Sequence, residues 1–431
     1  MFSSIFGNGT SRNLTASLGA GSATASSFSL DTVVTDIATA HAPCSTLALS
    51  TASQFLEDKL RGNSTSRNNN RLRTEFAALE ALQAKHYNTR YDYTVAVAAT
   101  EMELNRYVDV LPYEHTRIKL VNTLNSTATS PTIGSPSGSS SFRALLRRKN
   151  SGSKVQVVKE QLATYINASS ITCSLDPLLP PRGVESHTMN PSWRYIVAQG
   201  PLSSTCSTFW EMIVQEKVQS IVMLTDIIEN KRKKCHQYFP LNAETTLEIA
   251  PEVKIYTRSV TELIPGLVLR KLEVIKYGSI ENNYVCDHYH YTGWPDHGVP
   301  QSAAPLLLLS YMLRTGSGGG GSGNESPIAV HCSAGIGRSG VFCVVDIAAR
   351  RLVGAASSVA ARRGIETAGG GDPASSSSAA VVLAAQKAVN VGKIVAELRT
   401  QRAGMVQTTE QFVFCHAALL ELTRAAVAKI S

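Results

Sequence analysis

The stretch VHCSAGIGRSG, from Val330 to Gly340, sets Cys332 six residues ahead of Arg338 and holds three glycines, two of them between the pair. The apolar PIAV before it reads as a buried strand and the SGVFCVVDIAARRL after it as a helix, so the segment between is a strand-to-helix turn. Such a turn can hold an anion. The backbone N–H groups of Ser333, Ala334, Gly335, Ile336 and Gly337 can all point inward only if the loop winds tightly, which small residues permit, and the following helix adds its positive N-terminal end. A thiol at the mouth of that cradle is favoured as thiolate by the same donors. Arg338 can offer a planar fork to two oxygens of a bound phosphate, and Ser339 can donate a hydroxyl hydrogen to the sulfur as it leaves. Taken alone the pattern has a plain competitor, since a buried Cys is usually an inert small hydrophobe.

The chain around this turn is long enough, at 431 residues, to bury a continuous core without disulfides. Its eight cysteines are scattered, with no CxxC pair, which suits reduced thiols in a cytoplasmic setting. No leader pattern opens the sequence and no run is long and apolar enough to span a bilayer. The formal charge of +8 is spread among acids, not drawn into one basic strip with aromatics, so nucleic acid is not an expected partner. The histidines do not gather with cysteines or acids at ligand spacing, so no metal or other cofactor is expected.

Residues 1–67 are rich in Ser, Thr, Ala and Asn and read as a flexible extension with one short helix near ASQFLEDKL. From there to residue 427 a single domain is expected, its first firm element the helix RLRTEFAALEALQAKH, with Leu72, Phe76, Leu79 and Leu82 at helical spacing. Stretches of linker composition near 125–150, 315–326 and 354–380 read as surface insertions, the first bearing Arg147, Arg148 and Lys149 ahead of Ser151. Short buried-strand runs such as QSIVMLT alternate with helical segments such as APLLLLSYMLRT. That mixture predicts an α/β (α+β) domain with a central twisted mixed sheet flanked by helices.

VHCSAGIGRSG resembles the signature of the non-receptor-type protein tyrosine phosphatases, and further blocks match that family in order. They are NRYVDVLPYEHTRIKL, YINAS, YIVAQGPL, FWEMIVQEKVQSIVMLT, KCHQYFP, WPDHGVP and VQTTEQFVF, covering about residues 70 to 425. The resemblance implies hydrolysis of phosphotyrosine in proteins through a cysteinyl-phosphate on Cys332, with Arg338 binding phosphate. The departing phenolate needs a proton, and Asp296 in WPDHGVP is implied as the acid and then the base for water. Trp294 and the Gly298–Pro300 tail frame that residue as a stiff loop with hinges. Gln407 is implied to position the water, and its spacing from Gln411 would let the two share a helical face. Tyr107 is implied to wall a pocket deep enough to exclude phosphoserine, and Asp109 to fix the substrate backbone. Glu229 would orient Arg338, Tyr238 would hydrogen-bond His331 behind the nucleophile, and Lys234 would contact the acid loop. Arg399 and Arg402 would add positive potential near the site.

Some positions depart from the family. Leu104 and Thr164 replace a usual lysine and acid, neither bearing the chemistry. Val108 stands where many relatives carry a charge, which implies a weaker preference for acidic peptides, and His297 adds a titratable neighbour to Asp296. The implied partners are tyrosine-phosphorylated proteins, met by a monomer. A reader that binds without turnover would have lost the nucleophile, acid or arginine, and all three are present. An enzyme for phosphoserine or inositol lipids would not need the Tyr107 block.

Overall fold

The structure, a computed structural model, describes residues 34–35, 42–61, 71–87, 91–121, 164–174, 192–251, 253–276, 283–295, 298–315, 326–366 and 373–430. Nine strands form one mixed sheet: β1 (Arg117–Lys119), β2 (Tyr165–Ser174), β3 (Ser192–Ala198), β4 (Ser220–Met223), β7 (Thr245–Ala250), β8 (Val253–Ile264), β9 (Leu267–Lys276), β10 (Tyr284–Tyr291) and β11 (Ile328–His331). Two more, β5 (Ile228–Glu229) and β6 (Arg232–Lys233), make a separate hairpin. The order across the sheet is β1-β2-β3-β11-β4-β10-β9-β8-β7. β11 thus runs in the middle, parallel to both neighbours, with Ile328 paired to Tyr195 on one side and Ser220 on the other.

Alternation along these strands divides the core in two. Tyr195, Val197, Val222, Ile328 and Val330 face one layer of helices. Ile196, Ala198, Ile221, Met223 and Ala329 face the other side, where α4 (Cys206–Gln215) buries Phe209, Trp210, Met212 and Ile213. The first layer holds α1 (Ala42–Arg61), α2 (Arg71–Tyr87), α5 (Ala304–Thr315), α6 (Gly337–Glu366), α7 (Pro373–Ala388), α8 (Val391–Arg399) and α9 (Thr409–Ile430), while α3 (Thr94–Glu101) packs near β2. α6 leaves the Cys332 turn and plunges into this layer, with every residue from Val341 to Leu352 buried. Its apolar residues surround it because it is the central helix.

Two expectations change here. The helix in the N-terminal extension is twenty residues long and docked, not a short element in a flexible arm. Leu49, Ala52 and Leu56 recur at helical spacing and are buried in the main core, and the ion pairs Lys59–Glu75 (2.7 Å) and Arg424–Glu57 (2.9 Å) tie α1 to α2 and α9. The 354–380 stretch is largely helical where a surface insertion was expected: 354–366 extend α6 and 373–380 open α7, with 367–372 outside the described residues. Alanine is the best helix former and Pro373 stands at the first helical position, where its missing N–H costs nothing. The 125–150 stretch lies outside the described residues, as does 315–326 apart from its two ends. Among the described residues, no single helix is long and apolar enough to cross a membrane; α7 and α8 pass that test only as a pair bent by 54°, and both contribute buried apolar residues to the core, although Leu383 of α7 is exposed.

Because Leu56 is fully buried, Leu56→Ala should destabilise the folded domain by about 2–5 kcal/mol. An equilibrium denaturant titration measures this; a change below 0.5 kcal/mol, the scale of an ordinary surface substitution, would mean that α1 is not part of the cooperative unit.

Candidate active site

β11 ends at His331, and the chain then winds through residues 332–336 before entering α6. Every carbonyl of that turn is bonded away from the cavity it encloses. Cys332 O accepts from His331 Nδ1 (3.1 Å) and Ser333 O from Gly200 N (2.9 Å). Ala334 O and Gly335 O both accept from Arg402, at 3.2 and 2.8 Å. Ile336 O takes the N–H groups of Gly340 and Val406, at 3.0 and 3.1 Å. With the carbonyls turned outward, the N–H edges of the loop face inward, and Gly335 N lies 3.3 Å from Cys332 Sγ. Gly335 makes the winding possible: its φ is +71°, and a Cβ there would run into the carbonyl of Ala198.

Arg402 is fully buried and spends its remaining donors on Ser169 Oγ (3.1 Å) and Asn167 Oδ1 (2.9 Å). Burial lowers its pKa to about 10, which leaves it charged at neutral pH. Arg399 is likewise turned to structure, bonding Met405 O (3.0 Å) and Val406 O (2.7 Å) and pairing with Glu80 (2.6 Å). Neither lines the cavity: both hold the loops that form it, and Arg402, bonded to the back of the turn, keeps its positive charge close behind it.

Arg338 follows the turn in the first part of α6. Its guanidinium forks onto Glu229, Nη1 to Oε1 at 2.6 Å and Nη2 to Oε2 at 2.9 Å, as the Glu229 assignment anticipated. It also donates to Leu224 O (3.1 Å) and Pro295 O (3.2 Å), and lies 5.9 Å from the Trp294 ring centre. Glu229 is held in turn by Thr225 Oγ1 (2.8 Å) and Asp226 N (3.1 Å). The arginine is thereby oriented before any ligand arrives. Trp294 is buried and donates to Gly298 O (3.3 Å), bracing both ends of the WPDHGVP loop; Asp296 and His297 between them lie outside the described residues. Lys234 pairs with Glu229 at 3.9 Å.

Cys332, Ser333, Ala334, Gly337 and Arg338 form one wall of a cavity of about 540 Å³, which Tyr107, Asp109, Lys234, Gln407 and Gln411 complete. Thr225, Val110 and Glu410, which sequence reasoning did not single out, line it too. Ser333 Oγ donates to Lys234 O (3.0 Å), so the Tyr107 hydroxyl donates to Ser333 Oγ (2.9 Å), standing the ring at the cavity wall. Gln407 and Gln411 do not share a helical face: Gln407 lies ahead of α9, behind Val406 at φ +60°, and its N–H donates to Gln411 Oε1 at 2.9 Å. The glutamines nonetheless converge, since a Cβ on Gly337 would stand 3.1 Å from Gln407 Oε1 and 3.0 Å from Gln411 Nε2. Ser339 Oγ is buried without a hydrogen-bond partner, so the bond to sulfur expected of it is not made in this state.

Behind the turn, the order of donors can be worked out. Cys332 O can only accept, so His331 Nδ1 donates to it and Nε2 accepts from the Tyr238 hydroxyl at 2.6 Å. The tyrosine oxygen then accepts from His288 Nε2 at 2.8 Å. Trp210 Nε1 fixes the same segment through Tyr238 O (2.8 Å). Burial lowers the pKa of His331 to about 4 and that of His288 well below the ordinary value, as a neutral relay requires.

Fold and turn together set Cys332 and a carboxylate-clamped Arg338 in the wall of one cavity. The family model described as "Protein-tyrosine phosphatase" matches residues 101–361 and 368–421. The chain is 28% identical over 342 residues to human tyrosine-protein phosphatase non-receptor type 2, a match covering 79% of this chain and 61% of that protein. To the Arabidopsis thaliana protein-tyrosine-phosphatase PTP1 it is 29% identical over 351 residues, 80% of this chain and 78% of that one. The crystal structure of the catalytic domain of human protein tyrosine phosphatase non-receptor type 18 superposes with a TM-score of 0.55 at 25% identity, covering 86% of this chain and 99% of that one. The chain belongs to the protein-tyrosine phosphatase family.

Two outcomes follow from this geometry. Gly335→Ala should abolish whatever phosphate binding the turn provides, read as loss of thermal stabilisation by vanadate or phosphate, while a circular dichroism spectrum close to that of the parent shows the fold retained. The second concerns acid. His290, His331 and His416 each have a pKa lowered by burial from 6.5 to about 4. The unfolded chain therefore binds more protons than the folded one as pH falls from about 6.5 to about 4, so stability present above that window is lost through it. Denaturant midpoints measured across those pH values should decline steadily; a flat profile would show that these rings are not held neutral.

Proposed function

We propose that this protein hydrolyses phosphotyrosine in proteins, with Cys332 as nucleophile. The observation that carries the reading is the turn itself: Cys332 sits at the cavity wall with inward N–H edges around it and Arg338 preset on Glu229. The thiolate attacks phosphorus while the N–H groups and Arg338 hold the three equatorial oxygens. The bond to the phenolic oxygen breaks, and Asp296 gives that oxygen its proton, so tyrosine leaves neutral. Water, held by Gln407 beside Gln411, then gives a proton back to Asp296 and attacks the cysteinyl-phosphate, returning the thiolate and inorganic phosphate. Ser339, whose hydroxyl has no partner at rest, is free to turn toward the sulfur as the charge returns to it.

Substrate choice rests on Tyr107 and Asp109. A ring stacked on Tyr107 spans the depth of the cavity, whereas a phosphoserine side chain is too short to reach the sulfur. No metal enters this scheme. We place the activity in the cytoplasm, consistent with the free cysteines of the described residues, among them the proposed nucleophile, which must stay reduced.

The test is hydrolysis of matched phosphotyrosine and phosphoserine peptides in the presence of EDTA. The wild type should act on phosphotyrosine at full rate with the chelator. Cys332→Ser should be inactive, and Asp296→Ala should lose about 10²–10⁴-fold in kcat with KM preserved. Binding without turnover in the wild type would make the protein a phosphotyrosine reader, and equal turnover of phosphoserine or inositol lipids would overturn the substrate assignment.

A further inference from the structure

The segment Asn230–Lys234 places four consecutive basic residues, Lys231, Arg232, Lys233 and Lys234, on the hairpin that also supplies the arginine clamp. Asn230 and Lys231 have φ of +46° and +62°, the two-residue turn that closes a tight, twisted hairpin. Glu229 is paired directly across the ladder with Arg232, so the two share one face of the ribbon, and Lys234, two residues on, returns to it. Glu229 and Lys234 both line the active-site cavity. Arg232 lies on the same face of the hairpin as these two cavity-lining residues, with Lys231 at the hairpin tip and Lys233 on the other face, all three exposed.

The charge here is not neutralised from within. Glu229 is consumed by Arg338, and among the described residues Lys231 and Arg232 form no ion pair. Lys233 Nζ approaches His236 Nδ1 at 3.5 Å, and Lys233 and Arg106 add to burial in lowering the His236 pKa. The hairpin base is also fastened: Arg106, beside Tyr107, donates to Lys233 O (3.3 Å), Gly200 O (3.0 Å) and Pro201 O (2.7 Å). The cations are thus carried on a braced element. Val108, next to the cavity-lining Tyr107 and Asp109, is 73% exposed and uncharged, so it offers nothing to an acidic peptide.

We propose that the hairpin tip is a second docking site, which binds acidic side chains flanking the phosphotyrosine of a peptide substrate. The proposal rests on the activity proposed above. It relocates the reading of acidic sequence from the Val108 position to Lys231, Arg232 and Lys233, whose field attracts a negatively charged segment as the phosphotyrosine enters.

The experiment compares two phosphotyrosine peptides, one flanked by glutamates and one by glutamines, together with p-nitrophenyl phosphate. Each is assayed with wild type and with the triple variant Lys231→Glu, Arg232→Glu, Lys233→Glu, at low and high salt. The wild type should prefer the glutamate peptide, by KM and not kcat, and salt should erase the preference. The variant should lower kcat/KM for the glutamate peptide by about tenfold, leaving p-nitrophenyl phosphate and the glutamine peptide nearly unchanged. An equal loss on all three substrates would overturn the proposal, because the hairpin would then act only through Glu229 and Arg338. Unchanged peptide kinetics would also overturn it, and if the variant at the same time lost binding to phosphatidylserine vesicles, the cations would belong to a lipid surface instead. A wild type that turns over no phosphotyrosine substrate would overturn the activity itself, an outcome distinct from either.

Discussion

The carbonyls of residues 332 to 336 all point away from the cavity, and each finds a donor in the surrounding protein. This follows from the geometry of the peptide group: a loop that turns its N–H edges toward an anion must turn its carbonyls the other way. Buried carbonyls left unbonded would each cost on the order of 1–3 kcal/mol. Most of the donors that prevent this come from far along the chain, namely Gly200 after β3 and Arg402 and Val406 after α8, while His331 at the end of β11 is the neighbour of Cys332 itself. The sheet order that puts β11 between β3 and β4, and the return of the chain between α8 and α9 beneath the turn, are both ways of delivering those donors.

Partly buried Arg338 and fully buried Arg402 illustrate different solutions to the cost of desolvating a charge. Arg338 is paired with a carboxylate, which aligns its fork and leaves it at the cavity edge. Arg402, among the described residues, meets no carboxylate and is satisfied by carbonyl, amide and hydroxyl oxygens alone. Its full charge therefore stays behind the turn, where it adds to the field felt by an anion in front. The neutral histidine and tyrosine relay on the other side of Cys332 completes the frame without adding a competing charge. Above it, Trp294 ties the two described ends of the WPDHGVP segment together through Gly298 O.

The chemistry was legible in the sequence where local pattern and chemical need coincide. Cys332, Arg338 and the intervening glycines lie in one turn whose flanking strand and helix announce themselves by hydrophobic run and periodicity. Glu229 and Tyr238 were reachable through their blocks, and the structure seats both where the blocks implied. Composition misled elsewhere. The Ala- and Ser-rich 354–380 stretch and the N-terminal extension look like linkers, yet both contribute to long helices: alanine favours the first, and in the second a few apolar residues at helical spacing suffice because they pack on the main core.

What the sequence determined by itself was the strand-turn-helix that carries Cys332 and Arg338, since that depends on residues within a dozen positions of one another. What only the tertiary structure decided was which distant side chains serve that turn. Arg399 and Arg402 have the composition of site cations and the location of struts. Gln407 and Gln411 converge through a loop at positive φ, not along a helix. Arg232 stands across from Glu229 only because a two-residue turn folds the chain back. Direction in space, set by long-range pairing and by the need to satisfy buried polar groups, is not encoded in any short window of residues.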